Sequence, residues 1–201
     1  MTTQSVPAPD HDPTIYPEGL QRTAHTRTPG CLRNRIIALG THIAWNFWVN
    51  CLSASPLVPG RLRRIMLNKA GMNINTNGIS PHCRFTNSNV YVGRYTYINE
   101  GFYADARGGI HIGERVGIGP RVMIITSTHK IGPAEQRTGS HTTRKVIIGD
   151  GAAIASGAQI HAGVRMGRGS IASAGAVLMR PCRNGAVVSG VPAKEIYNYN
   201  D

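Results

Sequence analysis

The sequence predicts an all-β fold: a parallel β-helix of hexapeptide repeats, with an N-terminal helical extension and a protruding loop. Three observations carry that expectation. Aliphatic residues recur every six positions at Ile112, Ile118 and Ile124, and again at Ile148, Ile154, Ile160, Met166, Ala172 and Leu178. A small or β-branched residue stands four positions after most of them, at Val116, Val122, Ala152, Ala158, Val164, Ser170 and Ala176. The 24 glycines and the 6% aromatic content suit a chain that keeps turning corners better than an ordinary α/β domain. A period of six fits neither an α-helix nor one long strand. Three hexads close a triangular coil, and stacked coils bury the aliphatic position inside a prism.

The elements follow in chain order. Residues 1–30 are rich in Thr, Pro, His and Asp without periodicity, which predicts a flexible tail. They lack the basic-then-apolar pattern of a secretion signal. Residues 31–71 form the helical extension. Its first helix, 33–52, carries His42, Asn46 and Asn50 as one polar stripe on an otherwise apolar cylinder. The run is too short and too polar for a membrane span. Two readings of it stay open: a helix packed on the solenoid or on a neighbouring subunit, or an interfacial anchor. The second rests on Trp45, Phe47 and Trp48 beside Arg33, Arg35, Arg61, Arg63 and Arg64. Pro56 and Pro59 break the helix, and a shorter one over 60–70 stops at Gly71.

The β-helix is expected over 72–180. Val92, Ile98 and Ala104 keep the six-residue beat, but Ile112 comes eight residues after Ala104, so a small bulge lies near Arg107-Gly108-Gly109. Residues 126–145 lose the beat altogether. A loop of that length inside a solenoid points to function. Beyond Leu178 the repeats end, and 181–201 closes the stack.

Charge and cysteine content narrow the partners. A net charge of +12 and a pI near 10.2 suit nucleic acid, an anionic membrane or a phosphate-rich ligand. The basic residues are scattered and few aromatics interleave with them, which disfavours nucleic acid. Cys31, Cys51, Cys83 and Cys182 form no CxxC pair, so free thiols in a reducing, cytoplasmic compartment are expected. In the hexad frame His129 falls just before an inward position, so its imidazole should point outward at the root of the loop. A neutral imidazole there can accept a proton near neutral pH. His111 lies eighteen residues earlier, one coil, and is expected beside it on one outer face.

Four segments carry a family resemblance: ADARGGIHIG at 104–113, IGPRVMIITSTHK at 118–130, VIIGDGAAIASGAQIHAGVRMG at 146–167 and GVPAK at 190–194. They resemble the hexapeptide-repeat acyltransferases, in particular the maltose/galactoside O-acetyltransferases and the bacterial polysaccharide acetyltransferases. The resemblance implies a left-handed β-helix and a homotrimer with active sites between subunits. It implies acetyl-coenzyme A as cosubstrate, with no permanently bound cofactor. It makes His129 the catalytic base, puts Asn99 in the acceptor pocket, and turns the Ser156 backbone N–H toward the thioester carbonyl. Ala174 then lines the pantetheine groove, Arg180 and Lys194 lie near the nucleotide end, and Asp105 takes the place of an acid of the polysaccharide branch.

Arg165, Arg168 and Arg183 add to a basic C-terminal end suited to phosphate. The chain departs from the pattern at Ala153, where the family often has Trp, and at Met179-Arg180, where it has Thr-Lys. Arg107 stands where the sugar enzymes carry an acceptor-binding acid, which points to an anionic acceptor. The related hexapeptide carbonic anhydrases need three zinc-binding histidines, two as HxxxxH. No pair among His82, His111, His129, His141 and His161 has that spacing, so no metal is expected.

The reading is a cytoplasmic O-acetyltransferase acting on a hydroxyl of a sugar, glycan precursor or natural product through a direct ternary complex. The segment 33–52 is open to contact with the inner membrane face. A non-catalytic β-helical scaffold or ligand-binding protein and an N-acyltransferase are the alternatives.

Overall fold

The computed structural model describes residues 32–200, with side chains from residue 39 onward; the tail expected at 1–30 lies outside them. The described residues fall into two compact units, 32–128 with 142–200, and 129–141.

The larger unit is a parallel β-solenoid with three faces. The first face stacks Asn73–Ile74, Val90–Val92, Ile110–Ile112, Val146–Ile148 and Arg165–Met166. The second stacks Gly78–Ile79, Tyr97–Ile98, Gly117–Ile118, Ala153–Ile154, Ile171–Ala172 and Ala186–Gly190. The third stacks Arg84–Phe85, Tyr103–Asp105, Met123–Ile125, Gln159–Ile160 and Val177–Leu178.

Register puts the hexad residues in columns. Val92, Ile112, Ile148 and Met166 align on the first face, Ile98, Ile118, Ile154 and Ala172 on the second, and Ala104, Ile124, Ile160 and Leu178 on the third. All are buried, as are the seven partners four positions on. Burial of these columns is what removes apolar surface from water and holds the coils together. The extra residues before Ile112 are absorbed in a turn where the Gly109 N–H reaches Ala106 O at 3.0 Å. Gly109 has φ +90°, which a side chain would strain.

Two ends close the stack. The strand Ala186–Gly190 adds one more parallel rung beyond the last hexad, and Ala193–Asn198 turns back antiparallel on it. At the other end lie α1 (Leu32–Trp45), a π-helical run (Asn46–Leu52) and α2 (Gly60–Lys69). One member of the polar stripe serves docking: the Asn50 side chain donates to Phe85 O at 3.1 Å and accepts from Phe85 N–H at 2.9 Å, while Asn46 bonds to His42 within the helix. Arg63 of α2 is buried, and its guanidinium donates to the carbonyls of Ser53, Ile79, Ser55 and Val58 at 2.6–2.9 Å. Cys51, Cys83 and Cys182 are free thiols, and burial pushes Cys83 up to about 12.

The stretch expected as a loop contains a two-stranded hairpin, Ser127–Ile131 with Thr138–Thr143. Its turn is closed by Gly132 N–H to Arg137 O at 2.9 Å and Gln136 N–H to Pro133 O at 3.0 Å. Loss of the hexad beat marked the excursion, but strand pairing within it left no six-residue signal.

Candidate active site

The corner between the second and third faces gathers three of the expected residues. Asn99, Ser156 and Ala174 all lie on it. Backbone bonds link its rungs: Asn99 N–H to Ile118 O at 2.9 Å, Gly157 N–H to Pro120 O at 3.0 Å, and Gly175 N–H to Ser156 O at 2.9 Å. Ser156 therefore sits one rung from Ala174 on one side and from Pro120 on the other.

Among the described residues the Ser156 N–H has no acceptor. Two equivalent turns are satisfied by side chains, Glu114 N–H by Asp150 Oδ1 and Arg168 N–H by Asn184 Oδ1, each at 2.8 Å, while the Asp150, Ala162 and Ala174 N–H groups share the open state of Ser156 among the described residues. Ser156 lines a groove of about 600 Å3 together with His82, Glu100, Pro120 and Arg121. His82 and Glu100 pair across it at 2.7 Å. Arg121 makes no ion pair with the described residues, so it is a free cation at the groove that sequence reading overlooked. An unbonded N–H beside an open groove is a ready donor for a developing oxyanion.

The corner at the end of the third face is organised differently. Asp105 is nearly buried there; Thr86 Oγ1 donates to its carboxylate at 3.2 Å, and Arg107 Nε lies 3.8 Å away. The charge of Arg107 is thus partly met within the chain. Thr126, where the chain leaves for the hairpin, donates through Oγ1 to Asp105 O at 2.7 Å and accepts from Gly108 N–H at 2.8 Å. Two buried polar atoms at this corner have no partner among the described residues, Ser127 Oγ and His161 Nε2. Burial holds the His161 imidazole below its ordinary value. Nothing in the hexad pattern singled out His161, because its position is a turn in every coil.

His129 is exposed on its hairpin strand, as expected. Its ring meets that of His141 edge-on, with centroids 5.4 Å apart. His141 was not picked out from the sequence; reading 126–145 as a hairpin would have set it across the turn from His129. The eighteen-residue register on which the His111 expectation depended does not hold. Its partner in the next coil is Ile147, because the hairpin is inserted between those coils and the eighteen-residue spacing does not survive it. His111 stacks on Tyr91 with centroids 4.5 Å apart, and burial, with Lys145 nearby, lowers its pKa.

At the C-terminal end Arg180 and Lys194 are exposed. Arg183 pairs with Glu195 at 2.5 Å, and that hydrogen bond holds the Glu195 carboxyl below the usual range. Arg168, Asn184, Tyr199 and Asn200 line a smaller groove of about 380 Å3.

The geometry can be set beside known proteins. No family model matches the chain. A galactoside O-acetyltransferase from Lactococcus lactis is 28% identical over 120 residues, 60% of this chain and 58% of that protein. The chain spans less than two thirds of the length of the curated relatives it matches. Among solved structures, a hexapeptide-repeat acetyltransferase from Vibrio cholerae, complexed with acetyl coenzyme A, superposes with a TM-score of 0.71 at 20% identity, covering 85% of this chain and 92% of that one. A maltose O-acetyltransferase from Clostridium difficile gives 0.69 at 24% identity, covering 80% and 88%.

The fold is the left-handed β-helix of the hexapeptide-repeat acetyltransferases. Against that fold the expected site residues divide between two edges. Asn99, Ser156 and Ala174 belong to the corner after the second face, Asp105 to the corner after the third. The larger unit alone does not bring Asp105 to the Ser156 groove.

Proposed function

We propose that the protein transfers an acetyl group from acetyl-coenzyme A to a hydroxyl of a sugar, glycan precursor or natural product. The reading is supported by the names of its relatives and by the neighbour complexed with acetyl coenzyme A. The observation that carries it is the unbonded Ser156 N–H beside the groove.

In this reading the thioester lies along the Ser156 corner, with pantetheine against Ala174 and the phosphates toward Arg180 and Lys194. His129 takes the proton of the acceptor hydroxyl as its oxygen attacks the thioester carbon. The Ser156 N–H receives the oxyanion. Collapse breaks the C–S bond, and the coenzyme A thiolate leaves with the proton held by His129. No acyl-enzyme forms, so both substrates are bound at once. Asn99 and Asp105 contact the acceptor, and Arg107 beside Asp105 favours an acceptor carrying an anionic group.

The split of Asn99 and Ser156 from Asp105 supports a homotrimer in which one subunit's Ser156 corner faces the next subunit's Asp105 corner. The protein then works in the cytoplasm, with the helical extension at the inner membrane face.

Thiol release from acetyl-coenzyme A, followed over a panel of hydroxyl acceptors, tests the proposal. His129→Ala should lower turnover by about two to four orders of magnitude with folding preserved, the usual range for a general base. Turnover near wild type in that variant rejects His129 as the base.

A further inference from the structure

Among the described residues, the helices at the start of the solenoid carry exposed apolar side chains. The indole N–H of Trp45 donates to Phe85 O at 2.8 Å and that of Trp48 to Met66 O at 3.0 Å, so both polar edges are held by the protein, while the Trp48 ring stays partly exposed. The side chains left over are Leu39, Ile43 and Phe47, spaced i, i+4 and i+8 and 59%, 58% and 64% exposed. Leu57, between the helices, is 90% exposed, and α2 adds Leu62 and Ile65. Six exposed apolar side chains concentrated in two successive helices and their connection point to a binding surface.

Charge selects the occupant. Between residues 19 and 99 the chain has ten Lys and Arg and no Asp or Glu. On α2, Arg61 and Lys69 are exposed one turn to either side of Ile65, so cations flank the apolar residues on one helical face. Arg63 is excluded, since its guanidinium is spent on four carbonyls. A second copy of this face would bring like charges together across a two-fold contact. An anionic bilayer offers what both features need: an acyl boundary for leucine, isoleucine and phenylalanine, and phosphates for the cations. Among the described residues no helix is long and apolar enough to cross a membrane.

We propose that the helical extension docks on an anionic lipid surface, with Leu39, Ile43, Phe47, Leu57, Leu62 and Ile65 at the acyl boundary and Arg61 and Lys69 at the headgroups. This deepens the membrane part of the proposed function and does not depend on acetyl transfer. It extends the anchor from the tryptophans to the more exposed residues around them.

Sedimentation of the full chain with vesicles tests it. Vesicles of phosphatidylcholine alone are compared with vesicles containing phosphatidylglycerol at about one part in three. The expected result is at least about tenfold tighter binding to the anionic vesicles, weakening as salt is raised. Phe47→Glu should lower that binding about tenfold while thiol release and oligomeric mass stay unchanged. Arg61→Glu with Lys69→Glu, both on the surface, should remove the preference for anionic lipid, and serves if Phe47→Glu fails to fold. Equal binding to both vesicle types, or none, overturns the proposal. So does a fall in oligomeric mass on Phe47→Glu, which makes the face a subunit contact, or tighter binding to duplex DNA that ignores Phe47. Absence of acetyl transfer with vesicle binding intact would count against the enzymatic reading alone.

Discussion

Two corners of one prism are built from the same repeat and end up chemically unlike each other. At the corner after the second face, rungs follow at regular steps, and the turn at Ser156 leaves a backbone donor open to a groove. At the corner after the third face, Thr126 ties the Asp105 carbonyl to the Gly108 amide just as the chain departs into the hairpin. The regular edge leaves a backbone amide open, whereas the interrupted edge ties its backbone to a threonine hydroxyl. A hexad can change its outward residues freely because its stability rests on the inward columns, so chemistry accumulates on the edges without disturbing the core.

The contrast can be broken at either edge. The largest effect is expected from Ser156→Pro, which deletes the open N–H. Proline already occupies that place one rung away at Pro120, so the backbone should accept it. Turnover should fall by about two to three orders of magnitude, as when an oxyanion donor is removed, with the melting temperature nearly unchanged. Turnover within a few-fold of wild type would mean that the open amide is not used.

At the other edge Thr126→Val deletes a hydroxyl and leaves the Gly108 N–H without its acceptor. A loss of about 1–3 kcal/mol in unfolding free energy is expected, read by denaturant titration. An unchanged midpoint would show that the tie is dispensable.

The smallest effect concerns His161. Its folded-state pKa lies below 6.5, so the folded protein binds fewer protons than the unfolded chain as the solution is acidified. Stability is therefore full above pH 6.5 and declines as pH falls from there toward the folded value. His111 acts in the same direction. His161→Leu should flatten part of the decline in melting temperature between about pH 7 and 5. An unchanged slope would show that the buried imidazole has no part in it.

The repeat made the fold readable. Every inward position named from the spacing, from Val92 to Leu178, is buried, because a period of six leaves only one way to close three faces on an apolar axis. Ser156 and Ala174 came instead from the family resemblance, and the repeat explains only why two residues one coil apart stack. What the sequence hid lies where the period is broken. The inserted hairpin shifts everything beyond it by an extra coil length, so His111 meets Ile147. The His129–His141 contact depends on a hairpin register that hexads do not encode. Arg121 and His161 occupy turn positions, whose burial and openness depend on the neighbouring rungs.

Mixing two inactive variants tests most directly whether neighbouring subunits share the site. His129→Ala and Ser156→Pro chains, co-expressed with different tags and purified through both, give oligomers containing each. In a trimer with sites between subunits, one interface in three pairs an intact imidazole with an intact amide, so activity should return to about a third of wild type. Mixed oligomers as inactive as either parent would contradict a site shared between neighbouring subunits.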